Sequence, residues 1–406
     1  MRFKPTEDRI RELEAGLQSE LRERLGQAAA AIVRAKQAGE RVVAVVGSGP
    51  NIHEGVTTLL AGLIHAGVVD GVITSSAVIS HEMAGALDRV HRVAASELGS
   101  IAAAVPHDGV LEASLLSPEM LDEVCCELPL DEGYYQELLL APGTDIIKAA
   151  GNMAYPMGWR TERLAREAQA LAVSAGLPLE TVVGYGADPM TMIGAGARCQ
   201  VPVLVGVPQL VGGGAVGLAI GDSLPVSERS ARVARMLGGA SVIVESAVAL
   251  TQEIHDGPFE TYTGHGIWAA WDGRWTYSLA DKRIVRIDLD PNLERAWQAE
   301  RHGSAVSRAI AEGLPKTKLL GLAVRMEMSG FARLPGSLPV VADIGVIWPV
   351  LAHRAATSLD VELDFLSCPQ STPEGQAMRD WIVDNVRPVS RQQMRVGLRQ
   401  WVERQV

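Results

Sequence analysis

Apolar positions follow two different periods along this chain. Over residues 6–38 they recur every three or four positions among Glu, Arg and Ala, which predicts one or two amphipathic helices. At Arg41 the period changes. Val42-Val43-Ala44-Val45-Val46 is an unbroken apolar run, the pattern of a strand buried on both faces. It breaks into Gly47-Ser48-Gly49-Pro50-Asn51, and helical spacing returns at Val56, Leu59, Leu60, Leu63 and Ile64. Strand, glycine turn and helix together present backbone N–H groups and a positive helix end to a phosphate. The plain alternative is an ordinary βα turn, because the spacing is neither GxGxxG nor a Walker A loop.

Further apolar runs predict strands at Gly71–Thr74, Val201–Val207, Ser241–Glu245, Arg283–Pro291 and Leu338–Ile347, with a short one at Thr181-Val182-Val183. Helical patterns cover Arg160–Ala175, Ser227–Leu237 and the charged tail from Thr372 onward. Between residues 92 and 145 strong β runs are few; Leu111–Glu127 reads as helix, with Pro118 starting one piece. Residues 255–278 form a long irregular stretch with His255, Asp256, Tyr262 and His265, then Trp268, Trp271, Trp275 and Tyr277. A loop of that length is functional or part of an interface. Strands alternating with helices predict an α/β chain with a doubly wound, mostly parallel sheet. The expected organisation is a helical extension over 1–40, an α/β domain over 41–370 and a helical tail over 371–406.

Composition narrows the function classes. A net charge of −11 disfavours nucleic acid and anionic membrane surfaces as partners. No apolar run reaches membrane-spanning length, and the N-terminus has no apolar signal core, so a cytoplasmic setting is expected. Cys125, Cys126, Cys199 and Cys368 form no CxxC pair, which predicts neither a structural zinc site nor a disulfide framework. His53-Glu54 and His81-Glu82 carry ligand-type side chains without ligand spacing, so no metal is expected.

The candidate chemistry gathers at strand ends, where open α/β sheets bind ligands. Thr74-Ser75-Ser76 closes the second strand, and Gly212-Gly213-Gly214 forms a second glycine turn. Asp288 and Asp290 are placed to accept from ribose hydroxyls, or else are solvated acids before Pro291. Asp343 lies in an otherwise apolar run, where a carboxylate needs a donor from the protein or from a ligand. His81 beside Glu82 suits proton transfer near neutral pH, and Glu245 is a third candidate acid. His265 reads as a lid or a turn, and Lys148 as a helix-surface lysine rather than an imine-forming one.

Taken as a set, these blocks resemble a known family. Val45-Val46-Gly47-Ser48-Gly49-Pro50, Ser76-Ala77-Val78-Ile79-Ser80-His81-Glu82, Val201-Pro202-Val203-Leu204-Val205-Gly206, Gly221-Asp222-Ser223-Leu224-Pro225, Ile287-Asp288-Leu289-Asp290-Pro291, Arg301-His302-Gly303-Ser304 and Val341-Ala342-Asp343-Ile344-Gly345 follow one order. That order is similar to the domain named after lysine-oxoglutarate reductase/saccharopine dehydrogenase (LOR/SDH) proteins, found in archaeal-type ornithine cyclodeaminases. More distantly it resembles deoxyhypusine synthase, with Asn51 and Thr74-Ser75-Ser76 where that family first contacts NAD. The resemblance implies a deoxyhypusine synthase-like, Rossmann-like fold with helical N- and C-terminal additions, usually a homotetramer. Resemblance and residue reading together give the expected NAD-holding residues as Gly47, Ser48, Gly49, Asn51, Thr74, Ser75, Ser76, Gly212, Gly213, Gly214, Asp288, Asp290 and Asp343, and the expected catalytic ones as His81, Glu82 and Glu245; the Gly212-Gly213-Gly214 turn and the loop 255–278 are not part of the family's pattern. The activity it implies is a lyase acting on a small amine or amino acid, with internal redox and release of ammonia. The alternatives are an amine or amino-acid dehydrogenase, a deoxyhypusine synthase-like transferase, and a non-catalytic nucleotide-binding regulator. The transferase needs a Trp-Gly-Lys motif that this chain lacks; Ser76 replaces the family's Asn, and Glu82 its Asp.

Overall fold

The computed structural model describes residues 3–98, 109–151, 154–206, 213–246, 281–288 and 336–405, with isolated positions between 279 and 314. Elements are numbered among those residues. The chain opens with helices α1 (Glu7–Ala15) and α2 (Ser19–Gln37) and enters β1 (Arg41–Val46). Five of the six β1 residues are buried, as a strand with neighbours on both sides and on both faces requires. Helix α3 (Ser48–His53) starts directly after Gly47, without an intervening loop, and α4 (Val56–His65) follows. Next come β2 (Gly71–Thr74) and α5 (Ser76–Met83).

The main sheet has six strands in the order β10-β9-β8-β1-β2-β7, with β7 at Val203–Val205, β8 at Ala240–Ser246, β9 at Arg283–Asp288 and β10 at Ser337–Val341. Every pairing in it is parallel. Read from the β7 edge and counted along the chain, these strands lie third, second, first, fourth, fifth, sixth. The order therefore reverses between β1 and β8, and the carboxyl ends of those two strands flank the crevice where such sheets take dinucleotides. One face, with Val42, Ala44 and Val46, packs into a core shared by α2, α4, α5 and α13 (Ile344–Leu359). The other, with Val43, Val45 and Ile243, is covered by Val233, Ala234 and Leu237 of α12 (Val226–Gly238). Helices on both faces make the fold α/β and doubly wound.

A second, four-stranded sheet is inserted after α5, in the order β5-β3-β4-β6. It comprises β3 (Leu87–Ala94), β4 (Val110–Ser114), β5 (Gly143–Ala149) and β6 (Ala154–Tyr155). Helices α6 (Pro118–Glu127) and α7 (Glu132–Leu140) lie between β4 and β5; Tyr135 and Leu138 of α7 pack with Val93 and Ala113 on one face. The helix expected over Leu111–Glu127 is thus a strand, a turn and a helix. Ser117 caps that helix by accepting from Met120 N at 3.3 Å, and Pro118 begins it. Lys148 correspondingly lies on β5, not on a helix surface.

The chain then returns through α8 (Met157–Ala175), α9 (Leu179–Gly184) and α10 (Met192–Cys199) to β7, and through α11 (Gly214–Ser223) and α12 to β8. Thr181-Val182-Val183 belongs to α9 and is not a strand. Leu179, Val182 and Val183 bury one helical face, and Glu180 forms a fully buried ion pair with Arg229 of α12. Further bonds hold the pair: Val205 N donates to Glu180 Oε1 at 2.9 Å and Arg229 Nη2 to Ile220 O at 3.0 Å. Strand β10 ends at Val341, short of the expected Ile347, so Asp343 stands outside it. Helices α14 (Pro373–Asn385) and α15 (Arg391–Glu403) close the chain. Among the described residues no helix is long and apolar enough to cross a membrane, and the four cysteines are free thiols.

Candidate functional site

The crossing between β1 and β8 is held by one side chain. Asn51, in the last turn of α3, is buried; its Nδ2 donates to Gly47 O at 2.6 Å and to Ser246 O at 2.9 Å, while Ser246 Oγ donates to its Oδ1 at 2.9 Å. The side chain expected to touch a cofactor is therefore committed to tying the exits of the two strands together. Beside it, at the end of β2, the Thr74 hydroxyl is fully buried and has no hydrogen-bond partner among the described residues. An orphaned buried hydroxyl is costly. Its place at the carboxyl end of a parallel strand beside the crossing suits a ribose or phosphate oxygen. Ser75 caps α5, its Oγ accepting from Val78 N at 3.4 Å, and Ser76 is buried in the first turn. Gly213 and Gly214 begin α11; Gly212 and Asp290 lie outside the described residues, as do His265 and the rest of 255–278. Asp288 is the last residue of β9, in register with Val341 of β10.

His81 lies on α5 and is almost fully buried. Its Nδ1 is 2.7 Å from Ala150 O, just past β5. A carbonyl oxygen only accepts, so Nδ1 carries the proton and Nε2 holds the lone pair. Burial lowers the pKa of the ring below 6.5, against the smaller opposing effect of the Ala150 bond, so the neutral base form prevails at neutral pH. Gly151 makes this approach possible: it adopts φ +81°, and a Cβ there would lie 3.0 Å from the Cβ of Ala84, just past α5.

One face of the small sheet is polar, and its Lys148 lies within electrostatic reach of His53 on α3 and His81 on α5. Antiparallel register sets Asp88 of β3 against Lys148 of β5, and Arg92 of β3 against Glu112 of β4. Glu112 is 8% exposed and accepts from Lys148 Nζ and from Arg92 Nη2, the latter at 2.6 Å. Burial pushes its pKa up, but the two cations outweigh this and hold it below the usual carboxylate value. Asp88 accepts from Ser114 Oγ at 2.5 Å, and burial raises its pKa to about 6. On the α3 side, burial lowers the pKa of His53, helped by the charges of Arg379, His81 and Lys148. Burial raises that of Glu54, which accepts from Gln370 N at 2.7 Å and feels Asp343. His53, His81 and Lys148 thus lie within electrostatic reach of one another, with Asp88 and Glu112 beside Lys148.

Three expected site residues serve elsewhere. Glu82, beside His81, is fully buried and faces away from it toward α10, whose first N–H groups it accepts: Met192 N at 2.8 Å and Ile193 N at 3.1 Å. Burial raises its pKa to about 7 despite those two bonds. The reason is local helix geometry: neighbouring residues on α5 point about 100° apart, so His81 and Glu82 cannot share one target. Glu245 is buried in β8 in register with Arg286 of β9, on the face covered by α12 rather than the face shared with α5. Asp343 caps α13, its Oδ1 accepting from Gly345 N at 2.8 Å. The donor its carboxylate required is therefore a backbone N–H of the protein.

Asp88 and Glu112 were not among the expected residues. Glu112 is an acid inside a short apolar stretch and Asp88 one among charged neighbours, and both acquire meaning only when three strands bring them beside Lys148. Among the described residues no group of three or more His, Cys, Asp or Glu side chains is arranged to hold a metal ion.

No family model and no curated protein matches the chain. Solved structures resemble it in outline. The ternary complex of AgrE with ornithine and NAD+ is 13% identical with a TM-score of 0.40, over 84% of this chain and 34% of that one. ArgZ, an arginine dihydrolase from the ornithine-ammonia cycle in cyanobacteria, is 12% identical with a TM-score of 0.38, over 82% and 31%. A conserved LOR/SDH protein from Methanococcus maripaludis S2 is 10% identical with a TM-score of 0.36, over 88% and 71%. The chain thus spans about a third of the length of the first two.

Proposed function

We propose that the protein is an NAD-dependent enzyme acting on a small amine or amino acid, with internal redox and ammonia release in the manner of an ornithine cyclodeaminase. The observation that carries this reading is the polar cluster of the small sheet, in which Asp88 and Glu112 stand beside Lys148 and Lys148 is within electrostatic reach of His81, in a chain whose main sheet has the dinucleotide-type strand order.

The residues present fit the cofactor through main chain at Gly47, the unpartnered Thr74 hydroxyl, the Ser75–Ser76 turn and the start of α11 at Gly213 and Gly214, with Asp288 at a neighbouring strand end. When bound, NAD supplies a hydride acceptor that is restored within the same turnover. Asn51 holds the crossing in shape and Glu82 positions α10; neither meets the substrate. Asp88 and Glu112 bind a substrate ammonium group, and Lys148 keeps Glu112 ionised for that role. His81 Nε2 takes a proton from the amine nitrogen as that amine is oxidised to an imine and later returns one, with Ala150 O fixing its tautomer. Desolvation between the two sheets strengthens each of these contacts.

The test is His81→Asn. It is expected to abolish turnover of L-ornithine with NAD while leaving NAD affinity within about twofold, since the ring binds no cofactor atom in this reading. Because burial holds His81 below 6.5, the acidic limb of kcat is expected below pH 6.5. Full turnover by His81→Asn removes it from the reaction.

A further inference from the structure

We propose that two copies of this chain dock through a two-fold interface, in which the acidic surface of α6 and α7 on one copy meets the arginine face of α15 on the other, and the reverse. The interface does not rest on the function proposed above.

Charge is segregated along the chain. Residues 117–140, which include α6 and α7, hold seven acids and no lysine or arginine. Residues 387–404, which include α15, hold five arginines and one acid. Asp122, Glu132 and Glu137 are exposed, and Cys125 Sγ of α6 lies 3.9 Å from Glu132 Oε1 of α7, so the two helices form one surface. The side chains of Asp122 and Glu137 make no hydrogen bond or ion pair among the described residues. On α15, Met394 and Leu398 are buried against the fold, while Arg395 and Arg399 follow four residues apart on the outer side. Arg391 Nε and Arg395 Nε each lie 2.6 Å from the single carboxylate of Glu167, which leaves one of two positive charges uncompensated. Arg399 and Arg404 are exposed and have no ion-pair partner among the described residues.

The two surfaces are neighbours in one molecule. Arg160 Nη2 donates to Glu123 Oε1 of α6 at 3.0 Å and to Val389 O, just before α15, at 3.1 Å. A two-fold axis uses such a pair: each copy offers acids to the partner's arginines and arginines to its acids, and both contacts close in one interface. Partners of one sign fit less well. A polyanion drawn to the arginines meets the adjacent acids, and a polycation drawn to the acids meets the arginines. Apolar side chains lie within both surfaces: Leu140 at the end of α7 is 83% exposed, and Val396 and Val402 are exposed on α15. Docking removes them from water as well.

The test is a charge swap in the full chain, read by light scattering and native mass spectrometry at micromolar concentration. One variant, Asp122→Lys with Glu132→Lys and Glu137→Lys, sets cations against the partner's arginines. The other, Arg399→Glu with Arg404→Glu, sets anions against the partner's acids and leaves the Glu167 pairs intact. Each alone is expected to show about half the wild-type mass or less. An equimolar mixture is expected to recover the wild-type mass in species that hold both variants in equal number. In the wild type, raising NaCl from about 0.1 M to about 1 M is expected to weaken association about tenfold. Circular dichroism checks that each variant is folded; where one is not, the salt response of the wild type decides. A monomeric wild type, an association insensitive to salt, a folded variant that keeps the wild-type mass, or a mixture of folded variants that recovers none of it overturns the interface.

Discussion

Replacing Asn51 separates a latch from a ligand contact. Its amide donates to the carbonyls of Gly47 and Ser246 and accepts from the Ser246 hydroxyl, all within 2.9 Å and away from water. Asn51→Ala deletes three hydrogen bonds, each worth about 1 kcal/mol net, and leaves buried partners behind, so unfolding free energy is expected to fall by about 3 kcal/mol. Asn51→Asp keeps the volume but sets a carboxylate against two carbonyl oxygens, and is expected to cost more than Ala at pH 8. Protonation restores one donor, so the gap between the two variants should narrow as pH falls. Urea unfolding followed by circular dichroism, with an unchanged m value, measures all three proteins. A loss below about 1 kcal/mol for Ala, or Asp proving milder than Ala at pH 8, would refute the latch. Weaker NAD binding with stability unchanged would restore Asn51 to the cofactor.

The remaining predictions concern the reassigned acids and the assembly. Asp343→Ala is expected to cost about 0.5–2 kcal/mol of stability and to spare NAD affinity, with Asp343→Asn nearly neutral because Asn also caps helices; thermal melts and titration calorimetry read both. Glu82 has a folded pKa raised to about 7 from 4.5, so its contribution to stability is full below pH 4.5 and is lost as pH rises through 7. Glu82→Gln should flatten the stability profile between those values, and an unchanged profile contradicts the burial of an ionisable group there. We expect a homotetramer by light scattering at micromolar concentration, and a monomer would contradict this.

The main sheet was legible because its strands are short apolar runs buried on both faces, from Val42–Val46 to Ser241–Glu245. The small sheet was not. In β3 the buried residues are Leu87, Val90 and Val93, a spacing of three that reads as helix; in the strand Leu87 and Val93 bury on one face and Val90 on the other, between Asp88 and Arg92, so neither face is a continuous apolar stripe. His81 was legible as a histidine just past a strand end. Glu82 and Asp343 were misread for a common reason. A carboxylate in an apolar setting requires a donor, but the chain alone does not say whether a ligand or a helix N-terminus supplies it, and in both residues it is a helix. Glu112 and Lys148 lie 36 residues apart and meet only through strand pairing, which no local pattern encodes.

The central claim is a dinucleotide at the β1–β8 crossing, and hydrogen–deuterium exchange of the full chain with and without NAD tests it most directly. The account predicts slowed exchange confined to the segments around Val45–Asn51, Thr74–Val78, Gly213–Val216 and Glu245–Ser246, the strand ends and helix starts assigned to the cofactor. No slowing at millimolar NAD, or slowing only in segments remote from these strand ends, would contradict it.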